Sequence, residues 1–345
     1  MPDNITETNM VAKMPELSPD GNLLEVKNLD THFFLENGTV LAVNDLNFTL
    51  KPGETIGLVG ETGAGKTTTA LSIMRLIQTP PGLIVNGEII FEGKNILDLS
   101  ESEMRKVRGN RISMIFQDPM TTLNPVVPVQ NQIAEVLVLH QNLTATEAIN
   151  KAVEMLDKVG IRADRAKDYP HQFSGGMRQR VGIAIALACN PALLISDEPT
   201  TALDVTIQAQ VLELMKNLKE ELNTSMIMIT HDLGIVAEIC DRVAIMYAGT
   251  VVELADKYEL YENPKHPYTI GLFNSLPDIE KDVERLKPIK GLMPDPTDLP
   301  TGCPFHPRCD SAMPECSKQK PQRTEIGPGH YVKCLLFEGE GRGKD

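Results

Sequence analysis

The stretch GETGAGKT, Gly60 to Thr67, constrains this chain more than any other. It meets the pattern G-x-x-x-x-G-K-[ST] between an apolar run that reads as a strand, Thr55 to Val59, and a run that reads as a helix from Lys66. A strand, a glycine-rich turn and a helix in that order build a phosphate cradle in an α/β fold. The glycines let the backbone curl until successive N–H groups converge on phosphate oxygens, and the helix presents its positive end to the same anion. The expected binding residues are Gly60, Glu61, Thr62, Gly63, Ala64, Gly65, Lys66, Thr67 and Thr68. Lys66 reaches the β- and γ-phosphates of a nucleotide, and the Thr67 hydroxyl ligates Mg²⁺.

Further along, ALLIS (Ala192 to Ser196) is a short apolar run of the kind found in a strand buried on both faces, and it ends in Asp197-Glu198 before Pro199. Ligands of parallel α/β sheets bind at such carboxyl ends. Asp197 is placed to hold the Mg²⁺ shell, and Glu198, with its side chain turned differently, to polarise an attacking water. Between the two segments lies FSGGMRQR, Phe173 to Arg180, ahead of the helical run VGIAIALA. Ser174 can cap that helix, and the two glycines after it expose backbone donors, which makes a second anion site.

The order of these segments resembles that of ABC-type ATPases. The phosphate loop is followed by Gln117 in MIFQDP, the signature Ser174 to Gly176, the acidic strand end Asp197-Glu198, the turn ALD at Ala202 to Asp204, and His231 after the strand SMIMIT. The signature departs from the commoner LSGGQ at Phe173 and Met177. FSGGM, MIFQDPMTTLNP (Met114 to Pro125), HPYT (His266 to Thr269) and the cysteine-rich tail beginning GCPFHPRC look like the ATPase subunits of oligopeptide and dipeptide importers. The resemblance runs from Leu24 to about Leu335.

It implies a P-loop ABC-type ATPase core with an antiparallel β flank, a helical subdomain and a small cysteine-rich C-terminal appendage. The expected boundaries are 1–22 for a flexible polar tail, 23–260 for the nucleotide-binding domain with its helical subdomain at about 118–180, and 261–345 for the appendage. In the flank, LLEVKNL, THFFL and VNDLNFTL read as strands, with Glu36-Asn37-Gly38 as a turn. Phe33 and Phe34 lie where such ATPases stack an aromatic on adenine, but an aromatic in a strand is more often core. Within Asp118 to Gln172, which reads mostly helical, Thr144 and Glu147 fit a capping box, apolar residues recur at Ile149, Ala152, Val153 and Leu156, and Gly160 is the stop. Twelve of the 24 prolines fall after residue 260, which marks the loop-rich appendage.

The resemblance also assigns roles. Gln117 joins Thr67 and Asp197 around Mg²⁺, Glu198 orients or deprotonates the water, and His231 senses the γ-phosphate of ATP. Ser174, Gly175 and Gly176 close over ATP held by a partner, with Asp204 in the dimer turn. The implied partners are a second ATPase subunit, identical or sister, two transmembrane permease subunits and, indirectly, an extracellular solute-binding protein.

Composition agrees with that assembly. With 33 basic and 47 acidic residues the net charge is −14, so a nucleic-acid footprint is not expected. No apolar run approaches the ~18 to 20 residues of a membrane span and there is no signal-peptide core, so the expected place is the cytoplasmic face of the membrane, as a peripheral subunit. Oligopeptides or dipeptides lead as solute, with nickel or glutathione-like solutes as alternatives. Other classes are a soluble ABC ATPase without transport and a redox or metal sensor with regulatory ATP.

The cysteines divide into two groups. Cys189 and Cys240 sit in apolar helical contexts and read as buried. Cys303, Cys309, Cys316 and Cys334, in a loop-rich segment of a cytosolic protein, read as metal ligands. Their spacing, C-x5-C-x6-C-x17-C, lacks the close pairs of common zinc knuckles, although four thiolates suit zinc and iron–sulfur centres alike. The family resemblance implies a 4Fe–4S cluster; with His306 and His330 nearby, Zn²⁺ is the alternative.

Overall fold

The computed structural model describes residues 17–118, 122–201, 203–275 and 289–339. Most of the expected tail, and Ala202 of the ALD turn, lie outside the described residues. The described end of that tail is packed rather than free. Ser18 and Asn22 are buried, and both side chains hydrogen-bond the Glu25 carboxylate.

The centre is one eight-stranded sheet in the order β11-β12-β10-β9-β3-β8-β7-β6. Its parallel strands are β3 (Thr55–Val59), β6 (Ile112–Ile115) at the edge, β7 (Leu193–Asp197), β8 (Ser225–Thr230) and β9 (Arg242–Tyr247). Every residue of β3, β7 and β8 is buried, as expected of strands covered on both faces. Successive side chains then feed two different cores. Leu193, Ile195, Ile227 and Ile229 pack into one, and Leu194, Met226 and Met228 into the other.

The first core is closed by a four-stranded antiparallel sheet, β2-β1-β4-β5, and by the helix α1 (Lys66–Ile73). Here β1 (Leu24–Leu35) and β2 (Gly38–Leu50) pair across the expected turn, and β4 (Gly82–Phe91) pairs with the other edge of β1 and with β5 (Lys94–Asn95). LLEVKNL and THFFL form one strand, kept continuous by register shifts between Val26 and His32. The second helix, α2 (Glu101–Val107), starts at a Ser100/Glu103 capping box.

The second core is helical. The helices α3 (Val129–Gln141), α4 (Ala145–Lys158) and α5 (Gly175–Leu187) pack together there with α6 (Val205–Leu222). Thr144 and Glu147 form the expected reciprocal cap, with Ala152 and Leu156 buried, Ile149 and Val153 partly so, and Gly160 in the left-handed region at φ 76°.

After β10 (Thr250–Asp256), which pairs antiparallel to β9, the chain makes two short helices, Lys257–Glu262 and Pro267–Asn274. The C-terminal part is rich in loops, as its proline content predicts, yet it does not stand apart. Its strands β11 (Arg323–Gly327) and β12 (His330–Lys333) extend the central sheet, β12 pairing with β10 at Glu253↔Val332 and Leu254↔Tyr331. No helix among the described residues is long and apolar enough to cross a membrane.

Candidate nucleotide site

The carboxyl ends of β3, β7 and β8 bring three sequence-distant segments to one edge. Gly60 follows β3 and must be glycine, because a Cβ there would lie 2.3 Å from the Met246 carbonyl oxygen. Gly65, the cap of α1, has φ +97°, and a Cβ on it would meet the Ala42 carbonyl oxygen at 2.4 Å. The loop between them is thus pressed against the sheet and the flank. Thr62 to Thr68 line a cavity of about 500 Å³, together with Gln117, Glu198 and His231. Gly60, Glu61 and Asp197 support it from behind.

Lys66 is buried, and its ammonium donates to the carbonyls of Gly60 at 2.7 Å and Glu61 at 3.1 Å. Burial lowers its pKa, opposed by the charges of Glu198, Asp197 and Glu61. Thr67 hydrogen-bonds Asp197, whose own carboxyl is raised by burial above the usual range. Asp197 is 3 % exposed, and its Oδ1 has no hydrogen-bond partner among the described residues. A buried carboxylate oxygen left unpaired beside a hydroxyl suits a hard cation that keeps the rest of its shell for phosphate and water. The residues therefore fit Mg²⁺, which would neutralise phosphate charge there.

Glu198 is a non-glycine residue at φ 44°, a sparsely populated conformation of the kind that recurs at functional sites. Its Oε2 accepts from Gln117 Nε2 at 3.0 Å and from the Thr201 hydroxyl at 2.9 Å, and its Oε1 lies 3.2 Å from His231 Nδ1. Burial pushes the Glu198 carboxyl up, but the bonds from His231 and Thr201, with the charges of His231 and Lys66, outweigh it and hold the group below its ordinary range. A carboxylate fixed on both oxygens and ionised at neutral pH can orient a water and accept its proton.

The signature lies elsewhere. Ser174 caps α5 by accepting from the Met177 N–H at 3.4 Å, as the sequence suggests, but none of Ser174, Gly175 and Gly176 lines the cavity. Asp204 caps α6 through a bond from the Ile207 N–H at 3.0 Å, also away from it.

Several lining residues were not singled out from sequence. Val40 and Ala42 of β2 contribute through a strand that reads as ordinary flank, and Pro296 comes from the C-terminal part, its carbonyl accepting from the Leu41 N–H at 2.9 Å. The core expectation for the aromatic pair is corrected, since Phe33 lines the cavity and Phe34 is 52 % exposed.

The four C-terminal cysteines all line a second, small cavity, with His266 and His306. Burial raises the thiols of Cys303 and Cys309 and pushes that of Cys334 up to about 11, so without a cation these three stand neutral at pH 7. The donor set suits a thiolate-bound centre, but among the described residues no group of three or more His, Cys, Asp and Glu side chains is arranged to hold a metal ion. The expected 4Fe–4S cluster, and its zinc alternative, therefore find no formed site here. His330 is committed elsewhere, with its Nε2 2.8 Å from the Glu253 carboxylate. Cys189 and Cys240 are buried, as expected.

Comparison with known proteins agrees with this geometry. The family described as ABC transporter matches residues 43–201, and the family described as oligopeptide/dipeptide transporter, C-terminal region, matches residues 252–316. The oligopeptide transport ATP-binding protein AppD of Bacillus subtilis (strain 168) is 53% identical over 92% of this chain and 98% of its own. The oligopeptide transport ATP-binding protein OppD of Escherichia coli (strain K12) is 51% identical over 91% and 93%. Among solved structures, a dimeric ATP-binding cassette in a post-hydrolysis state with ADP and Pi superposes with a TM-score of 0.61 at 27% identity, over 68% of this chain and 98% of that one. A motif order complete from phosphate loop to His231, on this sheet and at these identities, means that the chain belongs to the ATP-binding subunits of oligopeptide ABC transporters.

Proposed function

We propose that the chain hydrolyses ATP in the cavity at the ends of β3, β7 and β8, and so energises import of oligopeptides or dipeptides through separate membrane permease subunits. The observation that carries this is the Glu198 carboxylate held by Gln117, Thr201 and His231 beside the Lys66 and Thr67 cradle. Glu198 is the base, His231 the γ-phosphate sensor, and Gln117 with Thr67 and Asp197 attends the metal. The peptide substrate is supported by the names of the relatives and by the C-terminal family match.

Because Ser174, Gly175 and Gly176 lie outside their own chain's cavity, they close over ATP bound by a second ATPase subunit, whose signature completes this site. Asp204 anchors the helix beside that junction. The subunit works at the cytoplasmic face of the membrane against two permeases, and an extracellular binding protein delivers the solute. ATP joins the two ATPase subunits and hydrolysis releases them, a two-state element of the kind that drives alternating access.

In the assembled complex, Glu198→Gln is expected to keep ATP affinity and lower hydrolysis about 10³-fold, within the range for losing a general base. Lys66→Ala is expected to weaken binding itself. Parental turnover by the Gln variant would remove Glu198 from its role.

For the cysteine cavity we keep a Cys303, Cys309, Cys316 and Cys334 centre, 4Fe–4S before Zn²⁺, as a proposal supported by the four thiols sharing one cavity. It would tie together a segment with little core of its own. Anaerobic purification with iron, sulfide and zinc analysis decides it: iron and sulfide in cluster ratio are expected, and a metal-free protein of native stability contradicts any centre.

A further inference from the structure

Glu61 is the second residue of the phosphate loop, yet its side chain does not line the nucleotide cavity. It points to the C-terminal part instead. Arg308 spans its carboxylate with two parallel bonds, Nη1 to Oε2 at 2.8 Å and Nη2 to Oε1 at 3.1 Å. That guanidinium is almost fully buried, with a side-chain exposure of 7 %. Its Nε–H donates to the Lys290 carbonyl at 2.9 Å, and it sits over the Tyr247 ring at 5.8 Å. The backbone of Glu61 is held as well, because its N–H donates to the Tyr268 hydroxyl at 3.0 Å. Tyr268 is wholly buried in an aromatic cluster with Tyr247 and Phe305, at centroid distances of 4.7 and 5.4 Å. Both HPYT and the GCPFHPRC turn thus reach the phosphate loop from behind.

We propose that Arg308, assisted by Tyr268, is a positioning residue for nucleotide binding: the C-terminal part clamps Glu61 and so holds the phosphate loop in its binding shape. In the structure, Lys66 donates to the carbonyls of Gly60 and Glu61. Those bonds use two of the three ammonium donors, so to meet more than one phosphate oxygen Lys66 gives up a carbonyl, and the loop exchanges an internal bond as the ligand arrives. A bidentate arginine–carboxylate pair and a tyrosine hydroxyl that do not take part in this exchange keep the backbone N–H groups aimed while it happens. Neither Arg308 nor Tyr268 touches Glu198, Gln117 or His231 in any described hydrogen bond, so the clamp governs affinity more than the chemical step.

This inference rests on the cavity being the nucleotide site, and Lys66→Ala tests that separately. If that variant binds a slowly hydrolysed ATP analogue with Mg²⁺ as well as the parent does, the site reading fails, whatever Arg308 does. With the site upheld, Arg308→Gln and Glu61→Gln in the full chain are each expected to weaken analogue binding about tenfold, within the usual range for coupling between sites. KM for ATP in the assembled complex rises in step while kcat stays near parental. The double variant is expected to be no weaker than either single one, and Arg308→Lys to fall between. Thermal unfolding confirms that each variant is folded; if Arg308→Gln is not, Glu61→Gln and Arg308→Lys decide. Folded variants with parental affinity, or with kcat lowered and KM unchanged, overturn the proposal.

Discussion

The chain carries two glycine-rich segments before helices, and they are finished to different degrees. In Gly60 to Thr67 the backbone is jammed between the Met246 and Ala42 carbonyls, Lys66 is buried, and Glu61 is pinned by Arg308 and Tyr268. In Ser174 to Gly176 only the rear is built. Gly176 backs onto Ile207, where a Cβ would sit 2.4 Å from Cγ2, and buried Phe173 lies under the Arg165 guanidinium at 4.4 Å, while Ser174 and Gly175 stay exposed. One segment shares a cavity with the Glu198 carboxylate of its own chain; the other does not line that cavity. A glycine-rich helix start prepared from behind and left open in front has the form of a half-site, and the difference supports the proposal that hydrolysis needs two chains while nucleotide binding needs one.

The largest effect that could break this contrast is on the open segment. Ser174→Arg places a bulky cation where a partner's nucleotide would sit, so hydrolysis in the assembled complex is expected to fall about 10²-fold or more, the scale of losing one transition-state donor. ATP affinity of the isolated chain should stay parental. Equal loss of affinity, measured by titration, would mean that the signature serves its own chain's site.

On the closed segment the expectation reverses. Gly65→Ala forces a Cβ against the Ala42 carbonyl at a left-handed φ. Strain of about 1–3 kcal/mol attends such a conformation, so a drop in nucleotide affinity of roughly tenfold is expected even in the isolated chain. Unchanged binding would show that the loop is looser than the contacts imply.

The smallest effect is one of pH. The proposed role of Glu198 needs it ionised, and its carboxyl is held below the ordinary range. Hydrolysis should therefore persist as pH falls until below that range. Removing the ring in His231→Gln takes away a lowering influence, and the acid limb of the rate profile should move to higher pH, whatever happens to the plateau. A limb that does not move would detach His231 from Glu198.

The nucleotide edge was legible because its chemistry is local. GETGAGKT, the all-apolar ALLIS and SMIMIT, and the Thr144/Glu147 box each carry their geometry within a few residues. What escaped joins distant parts of the chain. Arg308 and Glu61 are 247 positions apart, and nothing in periodicity pairs an arginine in a proline-rich turn with a loop glutamate. Pro296 reaches the cavity only because the chain passes Leu41 on its way back to the sheet. β11 is short and has no buried residue, and β12 is only four residues long with a buried histidine and lysine, so neither carries an alternation strong enough to show that the C-terminal part completes the central sheet. Phe33 read as core because strand aromatics usually are; its place near the end of an inner strand, beside an open cavity, is a tertiary fact.

The most direct test of the two-chain account is the ATPase rate per chain, followed from a demonstrably monomeric preparation to the complex with a second ATPase subunit and both permeases. The account predicts slow hydrolysis by the monomer, with ATP still bound, and a rise of about 10²-fold or more on assembly, the scale of supplying the missing donors. A monomer that turns over ATP at the full rate of the complex would contradict it.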